Sequence, residues 1–183
     1  MSKRADVETK ILIAGFGGQG ILFAGKFLAY IGLLNGRQVS WLPSYGPEMR
    51  GGTASCSVVI SNGPIGSPIV NNPHYLIVMN TPSLVRYEPD VTPGGLIFAD
   101  NALITRKVER KDVQAFYIPA TSLADEMGLK NLANMIILGA FIKRAGICAY
   151  DDFAPALDKT VPPRRKNLID ANLKALETGY SYD

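Results

Sequence analysis

The sequence predicts an α/β fold on a mostly parallel, mixed sheet, and three observations carry that expectation. Strand-length and helix-length segments alternate along the chain. The runs Leu76-Ile77-Val78-Met79 and Leu96-Ile97-Phe98-Ala99 are apolar without interruption, as strands covered on both faces are. The apolar run Ile11-Ile13-Ala14, with Leu12 between, passes directly into Gly15-Phe16-Gly17-Gly18-Gln19-Gly20, a glycine-rich turn that opens a helix.

Taken in order, residues 11–14 form the first strand and residues 21–34 a helix with apolar residues all round, which must be buried on several sides. The second strand spans residues 38–42, and a long loop follows from Pro43 to Gly52. Over residues 53–60, Ala54, Cys56, Val58 and Ile60 alternate with smaller polar residues. This marks a strand with one less buried face, antiparallel to its neighbours. Asn62-Gly63 is a hairpin-type signal. The two apolar runs and residues 115–118 complete the sheet. Thr121 is placed to N-cap a short helix reaching Met127. A strong helix covers residues 131–145 and ends at Gly146. Asp151-Asp152 opens another short helix. Pro162-Pro163 precedes the last, from about Arg164 to Thr178, with Gly179 at its end. No repeat or linker divides the chain, so residues 1–183 read as a single domain.

Composition narrows the function. With 183 residues the chain can bury a sizeable core. A net charge of +3 with scattered basic residues gives no stripe for nucleic acid. The basic trio Arg164-Arg165-Lys166 reads as a solvated face. The helix of residues 21–34 carries Lys26 and is too short to span a bilayer, so no membrane role and a cytoplasmic location are expected. Cys56 and Cys148 are the only cysteines and form no C-x-x-C, so neither an iron–sulfur cluster nor a cysteine-rich zinc site fits. His74 is the only histidine, which removes histidine-based triads.

The glycine turn offers unpaired helix amides to an anion. Its spacing also satisfies G-x-G-x-x-G, yet the second strand ends in Pro43 without the Asp or Glu that a dinucleotide ribose requires. Segments leaving the carboxyl ends of the strands are residues 15–20, 43–52, 80–83 and 100–101, and a ligand should gather there. The candidate residues are Gly15, Gly17, Gly18, Gln19, Gly20, Ser44, Tyr45, Met49, Arg50, Gly51, Gly52, Asn80 and Ser83. Arg50 beside Gly51-Gly52 suits a phosphate or carboxylate, and equally a contact with another subunit. Neither Ser44 nor Ser83 has a base to activate it. Asp100 is the best-placed carboxylate, although Asn101 points as readily to a turn. No complete catalytic constellation is present; another chain must finish the chemistry.

The segment of residues 15–20 followed by an apolar helix resembles the gamma subunit of 2-oxoacid:ferredoxin oxidoreductases. The likeness continues through residues 43–54 (Pro-Ser-Tyr-Gly-Pro-Glu-Met-Arg-Gly-Gly-Thr-Ala), the family's most recognisable segment. It extends to Ile65-Gly66-Ser67-Pro68, to residues 79–84, to Pro93-Gly94-Gly95 and to residues 134–140. The proline-tyrosine-methionine loop is most similar to the 2-oxoglutarate (KorC) type, with branched-chain enzymes close and pyruvate enzymes less so.

That resemblance implies a three-layer α/β/α sandwich like domain III of pyruvate:ferredoxin oxidoreductase. It implies a role in the CoA-dependent oxidative decarboxylation of a 2-oxoacid, 2-oxoglutarate to succinyl-CoA, with electrons passing to ferredoxin. Alpha, beta and delta subunits would be its partners. The complex would use thiamine diphosphate, Mg²⁺ and iron–sulfur clusters, none held by this chain, with coenzyme A as a substrate that the glycine turn and Arg50 could meet. The isolated chain's apolar load also allows it to homo-oligomerise. The competing reading is a free-standing nucleotide-binding α/β protein.

Overall fold

The computed structural model describes residues 8–46 and 52–183. Its elements are β1 (Thr9–Phe16), α1 (Ile21–Leu34), β2 (Gln38–Tyr45), β3 (Thr53–Ser61), β4 (Tyr75–Val78), α2 (Thr81–Tyr87), β5 (Leu96–Asp100), β6 (Gln114–Ile118), α3 (Ala120–Glu126), α4 (Ala133–Ala145), α5 (Phe153–Thr160) and α6 (Ile169–Tyr180). Six strands form one mixed sheet in the order β2-β3-β1-β4-β5-β6. The pairings β1–β4, β4–β5 and β5–β6 are parallel, whereas β3 runs antiparallel to both β1 and β2. The expected α/β class and the antiparallel third strand are what the chain adopts.

The layers are unequal. On one face, α1 and α3–α6 bury Ile11, Ile13, Phe27, Leu28, Phe98, Phe141 and Phe153 in the larger core. On the other, α2 and connecting segments cover Leu12, Ala14, Leu76, Val78, Ile97 and Ala99. Successive residues of β1, β4 and β5 therefore meet opposite cores, which is why these strands read as unbroken apolar runs. Phe98 stacks on Phe116 at 5.0 Å and meets Phe141 edge-on at 5.3 Å, tying the sheet to α4.

Several boundaries differ from the sequence expectation, each for an identifiable reason. β2 continues through Pro43 to Tyr45, so Ser44 and Tyr45 lie in a strand and not in a loop. Proline is tolerated because β2 is the outermost strand, where a missing donor can face away from the ladder. Asn62-Gly63 turns the chain, with Gly63 N donating to Ser61 Oγ at 3.1 Å, but it makes no hairpin: β4 pairs with β1 instead of β3. Thr121 lies inside α3, whose N-cap is Pro119. The Thr121 hydroxyl donates to Asp100 Oδ2 at 2.6 Å instead.

Asn131, with φ of 69°, precedes α4 and is not part of it. Arg164-Arg165-Lys166 sits in a 3₁₀ segment, Pro163–Leu168, whose non-helical Arg165 separates it from α6. Gly179 falls within α6 and does not end it. A β-carbon there would lie 1.7 Å from the Ile136 carbonyl oxygen, and one at Gly139 would lie 2.1 Å from that of Leu176. These glycines let the backbones of α4 and α6 touch, which a sequence read for helix stops cannot reveal. No helix among the described residues is long and apolar enough to cross a membrane.

Candidate functional site

The carboxyl ends of β1 and β2 and the start of β3 meet at one edge of the sheet, because Phe16 pairs with Thr53 and Tyr45 with Ala54. There the glycine turn is held from three sides. Gly17 N donates to Gly52 O at 2.9 Å. Gln19 Oε1 accepts Phe16 N at 2.6 Å, while Gln19 Nε2 donates to Met79 O at 2.9 Å at the end of β4. From α4, Asn134 Nδ2 donates to Gly20 O at 3.1 Å.

Gly20 caps α1 with φ of 74° and no capping side chain. Its carbonyl receives Ala24 N at 3.0 Å, the first bond of the helix. The N–H groups of Gly20, Ile21, Leu22 and Phe23 consequently have no partner among the described residues. These four residues line a cavity of about 270 Å³ whose walls also include Gly17, Gly18, Tyr45 and Ala54. Its described lining includes no carboxylate. Backbone donors and the positive end of a 14-residue helix, beside the exposed Tyr45 side chain, are a chemistry that suits an anion.

The structure thus brings Gly17, Gly18, Gln19, Gly20, Tyr45 and Gly52 together. Gly15 lies beneath them, packed against the Gln19 and Ile21 side chains. Ser44 pairs with Ser55 one residue along the edge strand. Met49, Arg50 and Gly51 lie outside the described residues. Asn80 and Ser83 are buried and belong to the start of α2, where Asn80 Oδ1 accepts Ser83 N at 2.7 Å. That geometry is a helix cap; Asn80 Nδ2 and Ser83 Oγ have no hydrogen-bond partner among the described residues.

Asp100 also turns out to be architectural. It is fully buried and accepts from the Thr121 backbone and hydroxyl and from Ala102 N, clamping α3 to β5. Burial raises its carboxyl above the ordinary range, with the bonds from Thr121 and Ala102 opposing. Burial likewise pushes both thiols, Cys56 and Cys148, up to about 12, so neither supplies a thiolate at neutral pH. Among the described residues no three His, Cys, Asp or Glu side chains cluster where a metal ion could be held.

Two features escaped sequence reasoning. The first is the role of Asn134, a lone amide in the apolar stretch Ala133–Ile142 of α4, which is itself the signal that could have found it. The second is a cavity of about 610 Å³ on the far side of the α1 start, lined by Phe23, Lys130, Asn134, Arg165, Leu168 and Asn172 among others. Its walls come from three stretches of sequence, 20–23, 128–134 and 161–172, so no local motif announces it.

Residues 10–182 match the family model described as "Pyruvate ferredoxin/flavodoxin oxidoreductase". The chain belongs to this family. Within the pyruvate ferredoxin/flavodoxin oxidoreductase family it is of the gamma-subunit type. It is 41% identical over 174 residues to the ketoisovalerate oxidoreductase subunit VorA of Methanothermobacter thermautotrophicus, covering 94% of this chain and 36% of that protein. It is 34% identical over 181 residues to the 2-oxoglutarate synthase subunit KorC of Methanocaldococcus jannaschii, covering 97% of this chain and 95% of that one. The fold matches the keto/oxoacid ferredoxin oxidoreductase gamma subunit of Geobacter sulfurreducens with a TM-score of 0.82 at 27% identity, over 95% of each chain. The chain spans about a third of the length of the VorA relatives and nearly all of the KorC relative.

Proposed function

We propose that this chain is the gamma subunit of a cytoplasmic 2-oxoacid:ferredoxin oxidoreductase, folding as one domain over residues 1–183. It acts beside alpha, beta and delta subunits that hold thiamine diphosphate, Mg²⁺ and the iron–sulfur clusters. The complex converts 2-oxoglutarate and coenzyme A to succinyl-CoA and passes the electrons to ferredoxin. This chain's part is to bind a phosphate of coenzyme A at the α1 cradle. The observation that supports this part is the row of unpartnered N–H groups from Gly20 to Phe23, open to a cavity with no described carboxylate.

A helix N-terminus contributes only about 0.3–1 kcal/mol to an exposed anion. A second cation must therefore share the phosphate, and Arg50, two residues before Gly52, is the side chain proposed for it. A branched-chain 2-oxoacid is the second reading of the substrate, favoured by the 41% identity to VorA. KorC-type organisation, matched over 97% of this chain and 95% of that relative, favours 2-oxoglutarate.

The test is to isolate the tagged chain gently from its host and assay dye reduction with each 2-oxoacid, with and without coenzyme A. The expected result is co-purifying larger subunits and CoA-dependent oxidation of 2-oxoglutarate. Preference for 3-methyl-2-oxobutanoate would give the second reading, and a chain recovered alone would sink both. The cradle is tested by Gly17→Val. A β-carbon there meets only Gly52 O, at 3.7 Å, so the added side chain intrudes on the cavity instead of the core. An intact complex with KM for coenzyme A raised about tenfold, equivalent to about 1.4 kcal/mol, supports phosphate binding. An unchanged KM, or dissociation of subunits alone, removes it.

A further inference from the structure

The orientation of the first turn of α1 is not set by α1 itself. Gly20 carries no capping side chain and adopts a left-handed conformation, so local sequence leaves its carbonyl free to swing. Two carboxamides from distant elements restrain it. Gln19 ties the turn to the end of β4, and Asn134, 114 residues from Gly20, donates to the Gly20 carbonyl from α4.

The Asn134 contact has features that simple packing does not explain. Asn134 is 3% exposed within the apolar run Ala133–Ile142 of α4. Its Oδ1 is buried with no partner among the described residues, a state that costs about 1–3 kcal/mol. The amide cannot be reversed to relieve that cost, because Oδ1 would then face the Gly20 carbonyl, acceptor against acceptor. A β-carbon on Gly20 would lie 2.4 Å from Asn134 Nδ2, so the contact also demands glycine opposite. An apolar residue at 134 would avoid the orphaned oxygen altogether. The chain keeps a donor there, against the carbonyl that starts α1.

We propose that Asn134 is a positioning residue for the anion cradle. By holding the Gly20 carbonyl it fixes the first turn of α1 in the orientation that presents the Gly20–Phe23 N–H groups to the cavity. This rests on the anion-binding reading of the α1 start only for its consequence; the positioning itself is measurable without a ligand.

Asn172 supplies the control. It lines the same 610 Å³ cavity as Asn134, is equally buried, and likewise has an Oδ1 without a partner. Its Nδ2, however, donates to Leu168 O at 2.7 Å and not to the glycine turn. Loss of either side chain opens a comparable hole, but only loss of Asn134 releases Gly20.

The experiment uses the full chain, ¹⁵N-labelled, as wild type, Asn134→Ala and Asn172→Ala, with Asn134→Leu should the alanine variant fail to fold. Two quantities are read: hydrogen exchange at Ala24 N–H, which bonds the Gly20 carbonyl, and the shifts of the Gly20, Ile21, Leu22 and Phe23 amides on titration with inorganic phosphate. In Asn134→Ala, Ala24 is expected to exchange about tenfold faster and the apparent phosphate affinity to fall about tenfold. Asn172→Ala should move neither. Ala24 exchange that is unchanged in Asn134→Ala, or accelerated alike in both variants, overturns the proposal. If the wild-type amides ignore phosphate while Ala24 still responds to Asn134→Ala, positioning of the turn stands and the anion-binding reading fails.

Discussion

At the scale of single residues, the polar groups of this chain are spent on geometry. Glu88 is buried and accepts from Arg106 Nη1 at 2.6 Å and from the Glu109 and Arg110 N–H groups at 2.6 and 3.0 Å. Burial pushes its carboxyl up, but these three donors outweigh it and leave the group below the ordinary range. His74 sits at the start of β4 and its Nδ1 accepts Lys10 N at 3.2 Å from β1. Burial disfavours the charged ring and Lys10 adds repulsion, against a smaller opposing pull from Glu8, so His74 titrates below its ordinary 6.5. A depressed value means that the folded state prefers the neutral ring. The contribution is present above the ordinary value and is lost as the pH falls through the folded one. The urea midpoint should therefore drop between about pH 7 and about pH 5. In His74→Gln, whose amide oxygen can still accept from Lys10, that drop should shrink. An equal drop in both proteins would show that other groups govern it.

At the scale of elements, what could be read in the sequence depended on whether neighbours in space were also neighbours in sequence. β1, the glycine turn and α1 are consecutive, so their apolar run, glycines and helix start could be read directly. The Asn134–Gly20 bond joins residues more than a hundred positions apart, so a lone amide in an apolar stretch could mark Asn134 but nothing local names its partner. Gly179 is the clearest case of a residue whose sequence meaning and structural meaning differ. Glycine near the end of an apolar-periodic segment reads as a stop, yet here it lies inside α6 against the Ile136 carbonyl. The two readings give opposite signs for one substitution. As an exposed helical position, Gly179→Ala would stabilise by up to about 1 kcal/mol. As a backbone contact with 1.7 Å available, it forces α4 and α6 apart and should destabilise by about 1–3 kcal/mol or more. Urea unfolding of the variant settles the sign, and a midpoint at or above that of the wild type would refute the contact.

For the whole molecule, the fold class was legible because apolar periodicity reports burial on both faces of a sheet. One histidine and two cysteines are what lead the sequence reading to expect that another chain finishes the chemistry. The surface was not legible, since an exposed apolar residue and a buried one look alike in sequence. On the described surface, Phe16, Trp41, Leu42 and Tyr45 are exposed at 37%, 37%, 39% and 70%. Trp41, Leu42 and Tyr45 lie on β2, the outermost strand of the sheet among the described residues, and Phe16, at the end of β1, lines the 270 Å³ cavity with Tyr45. Unpaired edge strands and grouped apolar side chains recruit other chains unless they are covered. A gamma subunit that presents its cradle to a substrate shared with larger subunits should be covered from this side. Trp41 is the only tryptophan in the chain, so its emission reports on the edge directly. Reconstitution with cognate subunits whose tryptophans are replaced by non-fluorescent 4-fluorotryptophan isolates that signal. Burial of the β2 edge predicts a shift to shorter wavelength and reduced quenching by acrylamide. Emission and quenching unchanged in an active complex would place the subunit contacts elsewhere, leaving the β2 edge open to solvent or to a second copy of this chain.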